Sequence, residues 1–117
     1  MAYALLIVEP AGQRQTRSEA QGRRLYEEML RFGADLSAKG LLTLSQSLAS
    51  DASGARVRIQ GNQTTVLDGP FAEAREMIGG FFLLTCRTRA EAIAIAGQCP
   101  AAHWATVEVR ELGPCFT

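Results

Sequence analysis

The spacing of apolar and polar residues changes several times along the chain, and each change marks a new element. Between residues 18 and 39, apolar residues recur every three or four positions opposite a ladder of alternating charges, which predicts an amphipathic helix. Ser18 with Gln21 predicts a capping box at its start. A second helix is predicted over the Ala- and Ile-rich segment "RAEAIAIAGQ", where Thr88 with Glu91 forms a second capping-box pattern.

Short apolar or alternating runs rich in β-branched residues predict strands between and around these helices. In chain order they are "YALLIVE", "LLTLSQSLA", "RVRIQ", "TTVLD", "GFFLLTC" and "TVEVREL". Gly61-Asn62 joins the third and fourth runs and suits a two-residue hairpin turn. The order of elements predicts a single domain over residues 1–117, with an α+β fold of ferredoxin-like type and an inserted β-hairpin.

The first of these strands is apolar on both faces, with Tyr3, Leu5 and Ile7 on one and Ala4, Leu6 and Val8 on the other. The "GFFLL" segment has the same character. Right-handed crossovers would place both helices on one side of the sheet, so its other side needs another cover. Leaving several large aliphatic side chains in water forfeits several kcal/mol. We therefore expect an obligate homodimer, sheet against sheet, with a lid formed by the hairpin as the alternative.

Composition narrows the classes of partner. Apolar residues make up 47% and charged residues 21% of the 117 positions, as in soluble globular domains. Twelve basic and twelve acidic residues balance, so neither nucleic acid nor an anionic membrane is an expected partner. The opening "MAYALLIVEP" has no basic leader and ends too early for an export signal or a membrane span, which predicts a cytoplasmic protein.

The cysteines Cys86, Cys99 and Cys115 are widely spaced and match no metal-ligand pattern. They are expected to be reduced thiols, with Cys86 and Cys99 in the core, and Cys99 could act as a nucleophile only with a base nearby. Phosphate-binding glycine loops and paired metal ligands are absent from the sequence. No cofactor or metal is therefore expected.

The segment "DGPFAEAREMIGG", residues 68–80, is the strongest candidate for chemistry. Asp68 would ordinarily accept a hydrogen bond from the N–H two residues on, but Pro70 has none, which favours another role. The alternative donor is the Phe71 N–H, one residue further on. Asp68 is therefore a candidate general acid or base, with a structural turn aspartate as the alternative. Phe71 is expected to anchor the loop in the core, and Gly79-Gly80 to allow either an irregular backbone or a close approach by another segment.

The remaining candidates for a pocket are charged or aromatic side chains with a solvated alternative. Glu73, Arg75 and Glu76 either line a cavity or form a solvated turn. Arg110 either clamps a carboxylate or lies on a solvated edge strand. His103, beside Trp104, either contacts a ligand or lies on the surface. The full set of candidate pocket residues beside Asp68 is Pro70, Phe71, Glu73, Arg75, Glu76, His103 and Arg110.

Together with "YALLIV", "CP" and "VEVRE", the segment "DGPFAEAREMIGGFFLL" resembles the DGPF branch of the YCII-related family over nearly the whole chain. The resemblance implies a dimeric α/β-barrel of ferredoxin-like type with a pocket near the subunit contact. Asp68, Glu73 and Glu76 match the family's acidic positions, and Arg75 replaces its more usual lysine. The histidine that the wider family carries on its first helix is absent, since residues 18–39 contain none. A histidine–aspartate proton relay would therefore lack one partner.

Three classes of function remain open. The first is a lyase- or isomerase-type enzyme in which Asp68 moves a proton and Arg75 or Arg110 holds an anionic group. The second is a non-catalytic dimer that binds a small molecule in the same pocket. The third is an accessory protein to an extracytoplasmic-function sigma factor, which only the resemblance implies, because genes of this branch often lie beside those of such factors.

Overall fold

A computed structural model describes residues 2–116. The helices are α1 (Glu19–Ala38) and α2 (Arg89–Gln98). The strands are β1 (Tyr3–Pro10), β2 (Leu42–Ser47), β3 (Ala55–Gln60), β4 (Gln63–Asp68), β5 (Glu76–Leu84) and β6 (Thr106–Glu111). Short 3-10 turns lie at Arg14–Thr16, Asp51–Ser53 and Pro100–His103. Both helices fall where the apolar periodicity predicts them, whereas β5 starts at Glu76 rather than Gly80, inside the segment "DGPFAEAREMIGG".

Both helices begin at the residues predicted to cap them. The Ser18 hydroxyl accepts the Gln21 N–H at 3.2 Å, and the Gln21 side chain accepts the Ser18 N–H at 2.9 Å, which completes a capping box. At α2, the Thr88 hydroxyl accepts the Glu91 N–H at 3.1 Å, which is the first bond of a capping box. The Glu91 carboxylate, however, accepts from the Thr88 hydroxyl and not from the Thr88 backbone N–H. The second predicted capping box is therefore only half formed. Neither helix within residues 2–116 is long and apolar enough to cross a membrane.

Four strands form one antiparallel sheet in the order β2-β5-β1-β6. The two most apolar strands, β1 and β5, are neighbours in its middle, and Leu5 lies opposite Phe82. Both helices pack on the face of the sheet that carries Leu5 and Phe82, as predicted, and we call it the inner face. There Phe32 of α1 contacts Phe82 edge-to-face, with ring centroids 5.3 Å apart. The result is an α+β architecture consistent with a ferredoxin-like fold.

The outer face of the sheet carries apolar side chains that no helix covers. Leu6 lies opposite Phe81 there, and both are only half-buried. Towards the edge of the sheet, Leu44 and Ile78 are 46% and 48% exposed. The central strands are thus apolar on both faces, and a single chain buries only one of them.

Strands β3 and β4 form a separate two-stranded sheet whose residues are all exposed. Gly61 and Asn62 join the strands with φ of 53° and 68°, as the two-residue turn requires. A hairpin that covered the sheet as a lid would bury the side chains facing the sheet, and none of the residues of β3 and β4 is buried. The predicted alternative of a hairpin lid is therefore wrong. The projecting hairpin contributes to a radius of gyration of 16.0 Å, above the roughly 13 Å of a compact domain this long.

Candidate functional site

A groove lies between α1 and the inner face of the sheet. Only Phe32, Gly33 and Leu36 of this helix are buried, whereas the earlier apolar residues Tyr26 and Leu30 are 49% and 55% exposed. Strand β2 forms the opposite wall. The groove encloses about 1000 Å³ and its floor and apolar walls include Ile7, Leu25, Met29, Leu42, Leu48 and Phe82.

A buried ion pair forms one end of this groove. Glu9, the penultimate residue of β1, is only 2% exposed. Arg14 binds it with one edge of its guanidinium, donating from Nε to Oε1 at 2.6 Å and from Nη2 to Oε2 at 3.2 Å. Arg14 Nη1 also donates to the carbonyl oxygen of Leu48 at 2.9 Å. This bidentate geometry neutralises a carboxylate that would otherwise be too costly to bury.

The glycine pair of the "DGPFAEAREMIGG" segment belongs to the same end of the groove. The pairing register between β1 and β5 shifts at this point, and Gly79 is the extra residue. A Cβ on Gly79 would overlap the Glu9 carboxylate and lie 2.9 Å from Arg14 Nη2. A Cβ on Gly80 would lie 2.9 Å from the carbonyl oxygen of Gln46. The close approach expected at these glycines is therefore confirmed, and at Gly79 the approaching group is the ion pair.

Trp104 and Arg17 also line the groove. The Arg17 guanidinium carbon lies 4.8 Å from the centre of the Trp104 ring, and the Gln13 side chain donates to the Trp104 carbonyl at 2.7 Å. Two shielded atoms of these side chains, Trp104 Nε1 and Gln13 Oε1, have no hydrogen-bond partner among residues 2–116. A buried polar group left this way costs about 1–3 kcal/mol.

The structure places Asp68 outside the groove, as the last residue of β4. Its side chain is exposed and makes no hydrogen bond or ion pair within residues 2–116. The next residue, Gly69, donates its N–H to the Gly54 carbonyl at 2.8 Å, and a Cβ there would overlap the carbonyl oxygen of Asp51. The start of the "DGPF" segment therefore closes the base of the β3–β4 hairpin.

Phe71 does not anchor its loop in the core, which corrects the prediction. It is half-buried and lies outside the core cluster, with the Arg56 guanidinium 4.0 Å from its ring centre. Hydrophobicity alone pointed to the core, but the ring instead supports an arginine of the hairpin, a favourable cation–π contact.

The other predicted site residues are all exposed and do not line the groove: Pro70, Glu73, Arg75, Glu76, His103 and Arg110. Arg75 and Glu76 lie at the start of β5, where the Arg75 carbonyl accepts the Ala11 N–H at 2.8 Å. Arg110 pairs with Glu108 on β6 at 3.2 Å. The structure thus places Arg75 and Glu76 together where their loop enters the central strand β5, and leaves His103 and Arg110 in separate elements.

Two cysteines are buried and one is exposed. Burial raises the pKa of the Cys99 thiol, and burial followed by the nearby Glu91 charge raises the pKa of the Cys86 thiol. The Cys99 thiol contacts Met29 Sδ at 3.8 Å. Cys115 is exposed. No group of three or more His, Cys, Asp or Glu side chains within the described part of the chain could hold a metal ion.

Comparison with known proteins places these features in a family. A family model described as the YCII-related domain matches residues 1–115. A protein of Rhizobium meliloti (strain 1021), itself described as uncharacterized, is 29% identical over 114 residues. That alignment covers 96% of this chain and 92% of the relative. Because the family model spans almost the whole sequence, the chain belongs to the YCII-related family.

Proposed function

We propose that the protein binds a small organic molecule in the groove between α1 and the sheet. The observation that carries this proposal is the groove itself, an apolar cavity of about 1000 Å³ with a buried Glu9–Arg14 pair at one end. Ligand sites are of this kind, mostly apolar with a few fixed polar groups, and span roughly 300–1,000 Å³. Without a ligand, the apolar side chains of α1 that face the groove, such as Tyr26 and Leu30, would lack packing partners.

The chain offers a matched pair of glycines to test this proposal. Gly22 lines the groove and Gly97 lies on the exposed side of α2, and a Cβ at either would meet nothing within 4 Å. Replacing either by leucine raises helix propensity, but only Gly22→Leu fills the groove. A library of aromatic and aliphatic fragments, screened by two-dimensional NMR, should shift the amide signals of Gly79 and Gly80 in the wild type and in Gly97→Leu. Gly22→Leu should abolish those shifts.

Fragments that bind elsewhere, or that bind Gly22→Leu as well as the wild type, would contradict the groove as the ligand site. Complete absence of binding at millimolar concentration would contradict it as well. Unfolding curves for both variants show whether a lost signal reflects a blocked groove or a damaged fold.

We further propose that the protein is a homodimer of the dimeric α/β-barrel type, in which the outer sheet faces of two subunits meet and the β3–β4 hairpin is an insertion. The half-buried Leu6 and Phe81 and the exposed Leu44 and Ile78 support this proposal. Covering each half-exposed side chain contributes about 1 kcal/mol. A second copy offers the same apolar face and needs no other partner.

Sedimentation of two variants tests the dimer. Phe81→Arg places a charge in the middle of the outer face and should yield a monomer. Ile93→Arg alters an apolar residue of α2 that is 45% exposed, on the helix side of the sheet, and should leave association unchanged. A wild-type protein that stays monomeric at micromolar concentration would contradict the proposal.

An enzyme of the DGPF branch, of lyase or isomerase type, is the second candidate function. The observation that favours it is the Asp68 carboxylate, which is exposed and has no partner in residues 2–116. A structural turn aspartate would instead accept a hydrogen bond from a nearby backbone N–H. In this function Asp68 moves a proton in a site next to its own loop. Its test is the Asp68→Asn variant described in the Discussion.

A further inference from the structure

We infer that the ligand of the groove is an amphipathic monocarboxylate whose carboxylate binds Arg17, with its apolar body between α1 and the sheet. This inference rests on the proposed function of the groove. It adds the chemical class of the ligand and the residue that selects it.

Arg17 is the cation of the groove that is free to bind an anion. Arg14 uses Nε and Nη2 on Glu9 and Nη1 on the carbonyl of Leu48. Arg23 binds Glu19 at 2.7 Å. The Arg17 side chain makes no ion pair or hydrogen bond within residues 2–116, although it is half-buried.

The contact with Trp104 leaves the hydrogen-bonding edge of Arg17 available. The guanidinium carbon lies over the indole ring, 4.8 Å from its centre, and the Arg17 side chain donates no hydrogen bond within residues 2–116. Its N–H groups point outward in the plane of the guanidinium, in the fork that matches the two oxygens of a carboxylate. An aromatic platform of this kind holds a guanidinium in place at little further entropic cost on binding.

The charges of the groove specify one carboxylate rather than two. Glu9 cancels Arg14 and Glu19 cancels Arg23, which leaves the single positive charge of Arg17 among the lining residues. The other lining residues are uncharged, and they include the apolar Ile7, Leu25, Met29 and Phe82 as well as the polar residues 45–47 of β2. A second carboxylate would therefore meet no unpaired cation among the lining residues, only uncharged groups or the already neutralised ion pairs, at a desolvation cost.

Matched carboxylate and amide probes test this inference. The pairs are phenylacetate and phenylacetamide, 4-phenylbutyrate and 4-phenylbutanamide, and hexanoate and hexanamide, titrated by calorimetry with the groove amide signals followed by NMR. The wild type should bind at least one carboxylate about tenfold more tightly than its amide, since charge-assisted hydrogen bonds are worth more than neutral ones. Arg17→Met should remove that preference and leave the affinity of the amide nearly unchanged.

Arg24→Met is the matched control, because Arg24 is an exposed arginine of α1 that does not line the groove. It should keep the carboxylate preference of the wild type. The fluorescence of Trp104, the chain's single tryptophan, should change on carboxylate binding and report the location.

The outcomes separate the two proposals. Equal binding of carboxylates and amides in the groove, or a preference that survives Arg17→Met, overturns the role of Arg17 and leaves the groove as a ligand site. Failure of every probe to shift the groove amides overturns both. An Arg17→Met variant with an altered unfolding midpoint is replaced by Arg17→Lys, which keeps the charge without the planar fork and should retain only part of the preference.

Discussion

Replacing Arg14 by methionine tests how the polar end of the groove is held together. The substitution keeps much of the side-chain volume but leaves the Glu9 carboxylate, 2% exposed, without its counter-charge. Removing one partner of a buried ion pair costs about 3–5 kcal/mol. The Arg14 side chain is 30% exposed, so water reaches part of this site and we expect about 2–3 kcal/mol. For a domain of this size that loss lowers the melting temperature by roughly 10 °C.

Thermal and urea unfolding, followed by circular dichroism at one protein concentration, measure this loss. The double variant Glu9→Met, Arg14→Met removes both charges and should be more stable than Arg14→Met alone, because no carboxylate is left buried and unpaired. Arg23→Met is the control, since its pair with Glu19 is exposed and worth only about 0.3–0.5 kcal/mol. An Arg14→Met variant within 1 kcal/mol of the wild type, or a double variant less stable than the single one, would refute the reasoning.

Three further expectations follow from the described contacts. Asp68→Asn should abolish any turnover and leave the melting temperature within a few degrees, because the exposed carboxylate has no partner in residues 2–116; loss of folding would make Asp68 structural. Gly79→Ala should destabilise the fold in urea unfolding, because its Cβ overlaps the buried ion pair; a wild-type unfolding midpoint would show that the pair can shift freely. At pH 8 a thiol reagent should label the exposed Cys115 quickly and the buried Cys86 and Cys99 slowly, because burial raises the pKa of both thiols; three fast equivalents would contradict their burial.

The helices, and the strands that are apolar on both faces, could be predicted because the sequence signals for them are local. Capping residues and apolar spacing lie within a few positions of the elements that they specify, so α1 and α2 begin where Ser18 and Thr88 predict. The apolar face of α1 was also predicted, but not that only Phe32, Gly33 and Leu36 are buried while Tyr26 is 49% exposed. Periodicity shows which side of a helix is apolar and says nothing of what packs against it.

The buried ion pair was missed although part of its signal is in the sequence. Glu9 continues the alternation of Tyr3, Leu5 and Ile7, so a reading of the strand to its end places this carboxylate on the inner face. A buried carboxylate there needs a cation nearby, and Arg14 follows five residues later in the chain. The contribution of Trp104 could not be found in this way, because its approach to Arg17 depends on how the last 3-10 turn packs beside α1. Asp68, by contrast, was selected because Pro70 lacks the N–H that a turn aspartate usually bonds. That local feature does not determine which residues lie near Asp68 in the folded protein.

The two uncovered apolar surfaces of this sheet differ in shape and polarity, and each suits a different one of the proposed partners. The inner groove is concave and ends in a fixed ion pair with an unpaired cation beside it, features that orient a small polar molecule. The outer face is a layer of side chains such as Leu6 and Phe81, which suits a broad contact with another apolar layer. Because β1 and β5 carry both surfaces on alternate residues, covering the outer face would hold in place the strands that form the groove floor. The proposed subunit contact and the proposed ligand site therefore lie on the two faces of one pair of strands.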